Sequence, residues 1–298
     1  MISSAVPNVL SLIGKTPMIE ISGFSKNPKI KIYAKLEGQS IGGSVKDRIA
    51  LQMIEQAEKS GILTKDKIIL EATSGNTGIS LAMIAAVKGY KIKLTMSSGM
   101  SEERKKILRA YGAELIETSA ENGTSGAIEK ARELLSQSPE KYWSSNQHNT
   151  LENPMAHIST AKEIEEQVPD ITHFVGGIGT FGTLRGMSTV FREKNKKIQI
   201  VGIEPMLGEK VDGLRNMQEP NPPGIFDPSF MDQRLMVTRN QAVEMARKIA
   251  KTNGFLVGVS SGAVLWGAVE ISKNLEEGRI VILFPDRGEK YLSTDLFE

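Results

Sequence analysis

Residues 42–48 read Gly-Gly-Ser-Val-Lys-Asp-Arg. Two glycines let the backbone bend tightly. Ser44 is of a type that caps helices, and Lys46 falls in the first turn of the helix that would follow. The positive end of a helix dipole beside an ammonium favours the neutral amine, and a neutral amine can form a Schiff base with an aldehyde. A solvated lysine opening a surface helix satisfies the same residues, so this turn alone does not choose between the two.

Three further loops carry chemistry. Residues 177–182, Gly-Ile-Gly-Thr-Phe-Gly, match the G-x-G-x-x-G fingerprint, with Glu204 closing the next strand where an acid would meet the ribose of NAD. Thr180 and Thr183 add hydroxyls at a helix N-terminus, an arrangement that suits a lone phosphate monoester equally well. Residues 258–262, Gly-Val-Ser-Ser-Gly, match the G-x-S-x-G nucleophile elbow, but that hydrolase triad needs a histidine after the serine. His148, His157 and His173 all precede it, which leaves Ser260 as a hydrogen-bonding group at a helix start or an N-cap. Residues 73–78, Thr-Ser-Gly-Asn-Thr-Gly, set short hydroxyl and amide side chains beside free N–H groups, a nest for a carboxylate. The histidines lack ligand spacing, so no metal site is expected.

These loops have to be positioned by a regular framework. Residues 31–37 alternate as a strand, and 49–60 form an amphipathic helix. Strands are expected at 67–73, 91–96 and 113–118, interleaved with helices at 78–88, from 101 onward, and at 126–136. A second series starts near Lys141, with helices at 153–168, 184–195, 241–252 and 261–274 and strands at 172–177, 198–204 and 279–284. Such alternation implies βαβ units and parallel sheets covered by helices. Residues 206–228, with Pro220, Pro222, Pro223 and Pro228, interrupt the alternation as a long functional loop.

The 298 residues suffice for one large or two ordinary domains. A net charge of +2 leaves no electrostatic footprint for nucleic acid or an anionic membrane. The absence of cysteine excludes disulfides, thiolate ligands and a cysteine nucleophile. The N-terminus has no basic-then-apolar signal pattern, and the most apolar run, 79–87, is shorter than the roughly 20 residues that span a bilayer. A cytoplasmic protein is expected.

A lysine in a capped turn, a carboxylate nest, a phosphate loop and a late serine, in one α/β chain, resemble the fold-type II pyridoxal-phosphate enzymes. The resemblance is specifically to the cysteine synthases (O-acetylserine sulfhydrylases) and runs over nearly the whole chain. It includes 42–48, 73–78, Met100-Ser-Glu-Glu-Arg, Ala110-Tyr-Gly-Ala-Glu, Asn146-Gln, Gly179-Thr-Phe-Gly-Thr, 258–262 and Tyr291-Leu-Ser-Thr, in the family's order. It implies two parallel-sheet αβα domains, like tryptophan synthase β, with the cofactor in the cleft between them. Residues 1–41 plus 145–298 would form the large cofactor-binding domain, and 42–144 the small mobile substrate domain.

By the same resemblance Lys46 holds pyridoxal 5′-phosphate as a Schiff base and later shuttles the α-proton. Asn76 meets the cofactor's 3′-oxygen, Gly179, Thr180, Phe181, Gly182 and Thr183 hold its phosphate, and Ser260 contacts the pyridine nitrogen. Thr73, Ser74, Thr77 and Gln147 match positions that grip the substrate carboxylate. The implied transferase makes L-cysteine by β-replacement, from O-acetylserine or O-phosphoserine and a sulfur donor, through an aminoacrylate. A serine, unlike an aspartate, leaves the pyridine nitrogen largely unprotonated, which favours loss of the β-substituent. A homodimer is expected from the family, and a sulfur-carrier protein is among the candidate donors.

Departures from the pattern are specific. Ser40-Ile41 stands where the family has Asn-Pro, and Ser97 where it has proline. The 206–228 loop lacks the Gly-Ala-Gly of A-type isozymes and is closer to B-type and O-phosphoserine-using enzymes, whose phosphate-directed arginine Arg215 matches. Cystathionine β-synthase-like and serine/threonine dehydratase activities share most of the motifs. An NAD-dependent oxidoreductase would rest on 177–182 and Glu204 alone, leaving the lysine turn unexplained. A catalytically silent binding relative is hard to reconcile with an intact Lys46.

Overall fold

The computed structural model describes residues 5–73, 75–193 and 197–298. The chain opens with β1 (Met18–Ile21), β2 (Ile30–Leu36) and α1 (Lys46–Lys59). It continues through β3 (Ile68–Ala72), α2 (Asn76–Lys88), β4 (Lys91–Ser97), α3 (Glu102–Ala110), β5 (Glu114–Thr118), α4 (Gly123–Gln137) and β6 (Tyr142–Trp143). Then come α5 (Glu152–Met155), α6 (Ile158–Gln167), β7 (His173–Gly177), α7 (Gly182–Glu193) and β8 (Gln199–Pro205). The last elements are β9 (Gln233–Val237), α8 (Arg239–Asn253), α9 (Val259–Ser272) and β10 (Gly278–Phe284).

Among the described residues the strands make two sheets, ordered β1-β2-β10-β7-β8-β9 and β5-β4-β3-β6. Every pairing is parallel except β1 against β2. The central β10 reads Gly-Arg-Ile-Val-Ile-Leu-Phe and is buried along nearly its whole length, as a parallel strand covered on both faces must be. Helices α2 and α9 are buried on almost every side, which is why their sequences are apolar all round. α8 starts with a capping box between Thr238 and Gln241 and ends on Gly254 in the left-handed conformation.

Four expectations need correction. β1 and β9 were not anticipated, because both are short, largely exposed edge strands whose alternation is weak. Strand β1 also adds the one antiparallel pairing to an otherwise parallel design. The helix expected over 153–168 is two helices, broken at Ala156 and His157. Helix α1 begins at Lys46 rather than 49, and Val45 occupies the N-cap position; the Ser44 hydroxyl instead accepts the Lys46 N–H at 3.3 Å. The end of the helix expected over 184–195 lies outside the described residues, as does Ser74.

Two residues after Lys46, a buried charge network ties α1 to the large sheet. Arg48 donates to Glu37 Oε2 at 2.7 Å and to Glu163 Oε1 at 2.7 Å. Lys35, on β2 and fully buried, pairs with Glu163 Oε2 at 2.7 Å and donates to the Thr16 carbonyl at 2.6 Å. Two cations face two carboxylates, so the group is neutral as a whole. Burial alone would raise the Glu163 pKa, but Arg48 and Lys35 outweigh it and bring it down to about 2. The other early departure is at the surface: Ile41 is exposed and lines an apolar hollow with Val9, Met83, Ala86, Val87 and Tyr111.

Replacing Arg48 by methionine strands the buried Glu37 carboxylate, and loss of one partner of such a network costs about 3–5 kcal/mol. Chemical denaturation should show that loss. Because the Glu163 pKa is depressed on folding, its contribution is complete above about pH 5 and is lost as the pH falls toward 2. The wild type should therefore lose stability across that window more steeply than a Glu163→Gln variant.

Candidate active site

The lysine turn is held from three directions. Gly43 has φ +79°, a conformation that a side chain would strain. The buried Asp47 carboxylate accepts the Gly42 N–H at 2.8 Å and the Ser80 hydroxyl at 2.5 Å, joining the turn to α2. Val45 donates its N–H to the Pro285 carbonyl at 2.8 Å, and Ser44 bridges to Asp286, joining it to the segment after β10. Lys46 is thereby presented to a cavity of about 550 Å³. Burial disfavours its ammonium and, against the opposing pull of Asp286, lowers its pKa to about 8. The direction is the one expected, and burial is its largest cause.

The same cavity is walled by Gly179, Thr180, Phe181 and Thr183, by Asn76, and by Ser260. Gly179 is required by crowding: a Cβ there would sit 2.5 Å from the Gly213 carbonyl oxygen. Phe181 adopts φ +73° and turns its ring into the core, edge-on to Phe226 at 4.9 Å, so the loop offers its backbone at that position. The two threonine hydroxyls are backed by buried groups. Asn153 Nδ2 donates to Thr180 Oγ1 at 2.9 Å and to the Gln147 carbonyl at 2.7 Å. The Nε2 of fully buried His157 lies 3.2 Å from Thr183 Oγ1, and its Nδ1 lies 3.4 Å from Thr160 Oγ1.

Desolvation holds His157 neutral, its pKa well below 6.5. In the tautomer with the proton on Nε2, Thr160 donates to Nδ1 and the ring donates to Thr183, leaving the Thr183 proton for an anion. Asn153 does the same for Thr180. Sequence reasoning missed both residues, since neither the Asn153-Pro step nor a lone histidine in a helical stretch carries a motif.

Asn76 is clamped by charge. Its Nδ2 donates to Asp286 Oδ2 at 2.7 Å, and its Oδ1 accepts from Lys290 at 2.8 Å. Ser260, buried in the first turn of α9, makes no hydrogen bond among the described residues and opens on the cavity. In the 73–78 loop the Thr73 hydroxyl accepts the Gly75 N–H at 3.3 Å. Thr77 and Gln147 are buried and bonded to each other at 2.8 Å, with Gln147 supplied by a segment anchored through Ser145 on Glu71 at 2.5 Å. Gly75 and Asn76, not these two, form the cavity wall. Arg215 likewise lies off that wall, with its N–H on the Ile178 carbonyl at 2.9 Å and its guanidinium on the Pro220 carbonyl at 2.9 Å.

Glu204 does not serve a ribose. It is fully buried, accepts the Met217 N–H at 2.9 Å and pairs with Arg234 at 3.3 Å, anchoring the 206–228 loop. The acid that the fingerprint spacing offers therefore lies away from the cavity, and a hydroxyl-lined glycine loop remains on its wall.

The model of a family described as pyridoxal-phosphate dependent enzyme matches residues 9–286. The chain belongs to this family. The cysteine synthase of Aquifex aeolicus (strain VF5) is 43% identical to it over 299 residues, covering 97% of this chain and 91% of that protein. Cysteine synthase B of Escherichia coli (strain K12) is 42% identical over 287 residues, covering 96% and 94%, in keeping with the B-type likeness of the 206–228 loop. The crystal structure of cysteine synthase (OASS) from Entamoeba histolytica superposes with a TM-score of 0.92 at 37% identity, covering 100% of this chain and 92% of that one.

The residues fit the family's cofactor. Lys46 would hold its aldehyde, loop N–H groups with Thr180 and Thr183 its phosphate, Asn76 its 3′-oxygen, and the unpaired Ser260 hydroxyl its ring nitrogen, all from the wall of one cavity. No helix among the described residues is long and apolar enough to cross a membrane.

Since the Lys46 pKa is lowered to about 8, its neutral, reactive fraction should rise with pH and level off above that value. Reductive labelling of the cofactor-free protein with pyridoxal phosphate across a pH series reads this directly. A midpoint near the ordinary 10.5 would show that burial does not set the amine's reactivity.

Proposed function

We propose that this enzyme makes L-cysteine by β-replacement on an O-activated L-serine. The observation that carries the reading is one cavity bounded at once by a buried lysine whose pKa is lowered to about 8, a hydroxyl-lined glycine loop and an unpaired serine hydroxyl. The names of the relatives support it. Pyridoxal phosphate, when bound, acts as an electron sink that acidifies the substrate's α-carbon and assists departure of the β-substituent. The chain does the rest. N–H groups of the 73–78 loop receive the substrate carboxylate, with Thr73, Ser74, Thr77 and Gln147 as its side-chain partners; Thr77 and Gln147, bonded to each other off the cavity wall, turn toward it when the substrate enters. Asn76 donates to the 3′-oxygen, and Ser260 offers the ring nitrogen a neutral partner.

Lys46, in its neutral amine form, would take the α-proton as the carbon–oxygen bond to acetate or phosphate breaks. After the sulfur donor adds at the β-carbon, Lys46 returns the proton to the α-carbon. Residues 42–144, which contain the four-stranded sheet, close over the substrate as a small mobile domain against 1–41 plus 145–298. A cytoplasmic homodimer, drawing sulfur from sulfide or from a sulfur-carrier protein, completes the reading.

Arg215 directs the preference toward a phosphate leaving group. The support is electrostatic: the pKa of His148 is lowered by burial and by the positive charges of Arg215 and Lys46, so the fields of both cations meet at one ring. Reorientation away from the Pro220 carbonyl would free the guanidinium for a substrate.

The deciding experiment is an activity matrix of O-acetylserine and O-phosphoserine against sulfide, thiosulfate and homocysteine, read by amino-acid analysis. Cysteine should form, and borohydride should fix the cofactor to Lys46. Cystathionine alone, or pyruvate with ammonia, would replace cysteine synthesis with another member of the same chemistry. In Arg215→Ala the ratio of O-phosphoserine to O-acetylserine activity should drop at least tenfold, and an unchanged ratio would remove Arg215 from substrate recognition.

A further inference from the structure

The segment following β10 reaches both Asn76 and the turn that carries Lys46. Within six residues it supplies Asp286, Lys290 and Tyr291, all lining the cavity. Asp286 is buried and takes two donors on one oxygen, Asn76 Nδ2 at 2.7 Å and the Tyr291 hydroxyl at 2.8 Å. Lys290 sends one N–H to Asn76 Oδ1 at 2.8 Å and another to the Gly43 carbonyl at 3.0 Å, three residues before Lys46. Burial disfavours the Lys290 ammonium, while the nearby Asp286 and Asp47 favour it.

A side-chain amide has two nearly isosteric ends and can rotate to present either one. An ammonium only donates and a carboxylate only accepts, so this pair admits a single orientation: the Asn76 oxygen toward Lys290 and its nitrogen toward Asp286. One N–H of Nδ2 is consumed by Asp286, which leaves the second as a donor beside the cavity. Were the amide reversed, its oxygen would face an acceptor and its nitrogen a donor, and the site would lose that N–H.

We propose that Lys290 is a positioning residue that, with Asp286, locks the Asn76 amide as a hydrogen-bond donor toward the cofactor and pins the turn that carries Lys46. The proposal rests on the cavity holding pyridoxal phosphate. It assigns to a lysine near the C-terminal end of the fold a role that Asn76 cannot fill alone, because an asparagine without charged neighbours has no preferred end.

The test is binding of pyridoxal phosphate to the cofactor-free full chain, followed by its absorption spectrum and by quenching of tryptophan fluorescence. Lys290→Met should weaken binding at least tenfold and shift the absorption maximum, whereas Lys290→Arg, which keeps a charged donor, should restore most of both. Because Lys290 acts on the cofactor chiefly through Asn76 and touches the Lys46 turn only at the Gly43 carbonyl, the same Lys290→Met change made on an Asn76→Ala background should cost at least threefold less than in the wild type. Equal losses in the two backgrounds, or an unshifted spectrum in Lys290→Met, would overturn the proposal by making Lys290 a structural residue only. If Lys290→Met does not fold, Lys290→Gln, a neutral donor of similar reach, takes its place with the same two backgrounds. A wild-type chain that takes up no pyridoxal phosphate would overturn both this proposal and the cofactor reading beneath it.

Discussion

An amine that is to be half-neutral near pH 8 has to be taken out of water, and the chain around it must then be tied down wherever water is excluded. Lys46 meets this condition through neighbours rather than through its own contacts. Asp47 fastens the turn to α2, Arg48 fastens the first turn of α1 to Glu37 just after β2 and to α6, and Val45 fastens the residue before the helix to Pro285. Successive residues point three ways into three parts of the fold. The lysine itself is left without such a tie, facing the cavity.

The phosphate end of the site follows the same logic with neutral groups. Thr180 and Thr183 could satisfy each other or turn inward; Asn153 and His157 give them donors from behind, so that their protons remain for an incoming anion. A neutral histidine suits this position because its uncharged ring can accept on one side and donate on the other. Preorganised donors of this kind need no rearrangement when the ligand arrives, which is where cofactor affinity is gained.

Much of this was legible in the sequence, and what was legible was local. The glycine turn at 42–48, the Thr-Ser-Gly-Asn-Thr-Gly loop and the 177–182 loop each announce themselves because tight turns and bare N–H groups require particular residues at adjacent positions. The strongly apolar strands and helices announce themselves by periodicity. What escaped is what depends on distant partners. Asn76 meets Asp286 and Lys290 across more than two hundred residues, and nothing in the spelling of Pro-Asp-Arg-Gly-Glu-Lys marks it as part of the site. Glu204 sat at the position of a ribose acid, yet its carboxylate closes a loop, because the motif constrains spacing and not what the acid faces. The edge strands β1 and β9 have one paired side and half-exposed faces, so their composition is that of loops.

The position of β10 carries a consequence for how the protein is made. The last strand to be synthesised is the one that lies between β2 and β7, with Ile280 in register with Ile32 on one side and His173 on the other. Until Phe284 has left the ribosome, β1 and β2 have no sheet to join, and their apolar faces wait while most of the chain is translated. Strand pairing over such separations is slow. The smaller sheet, by contrast, draws all its strands from residues 68–143 and can form early. The growing chain therefore passes through a stage in which the smaller sheet can be complete while the larger one still lacks its central strand.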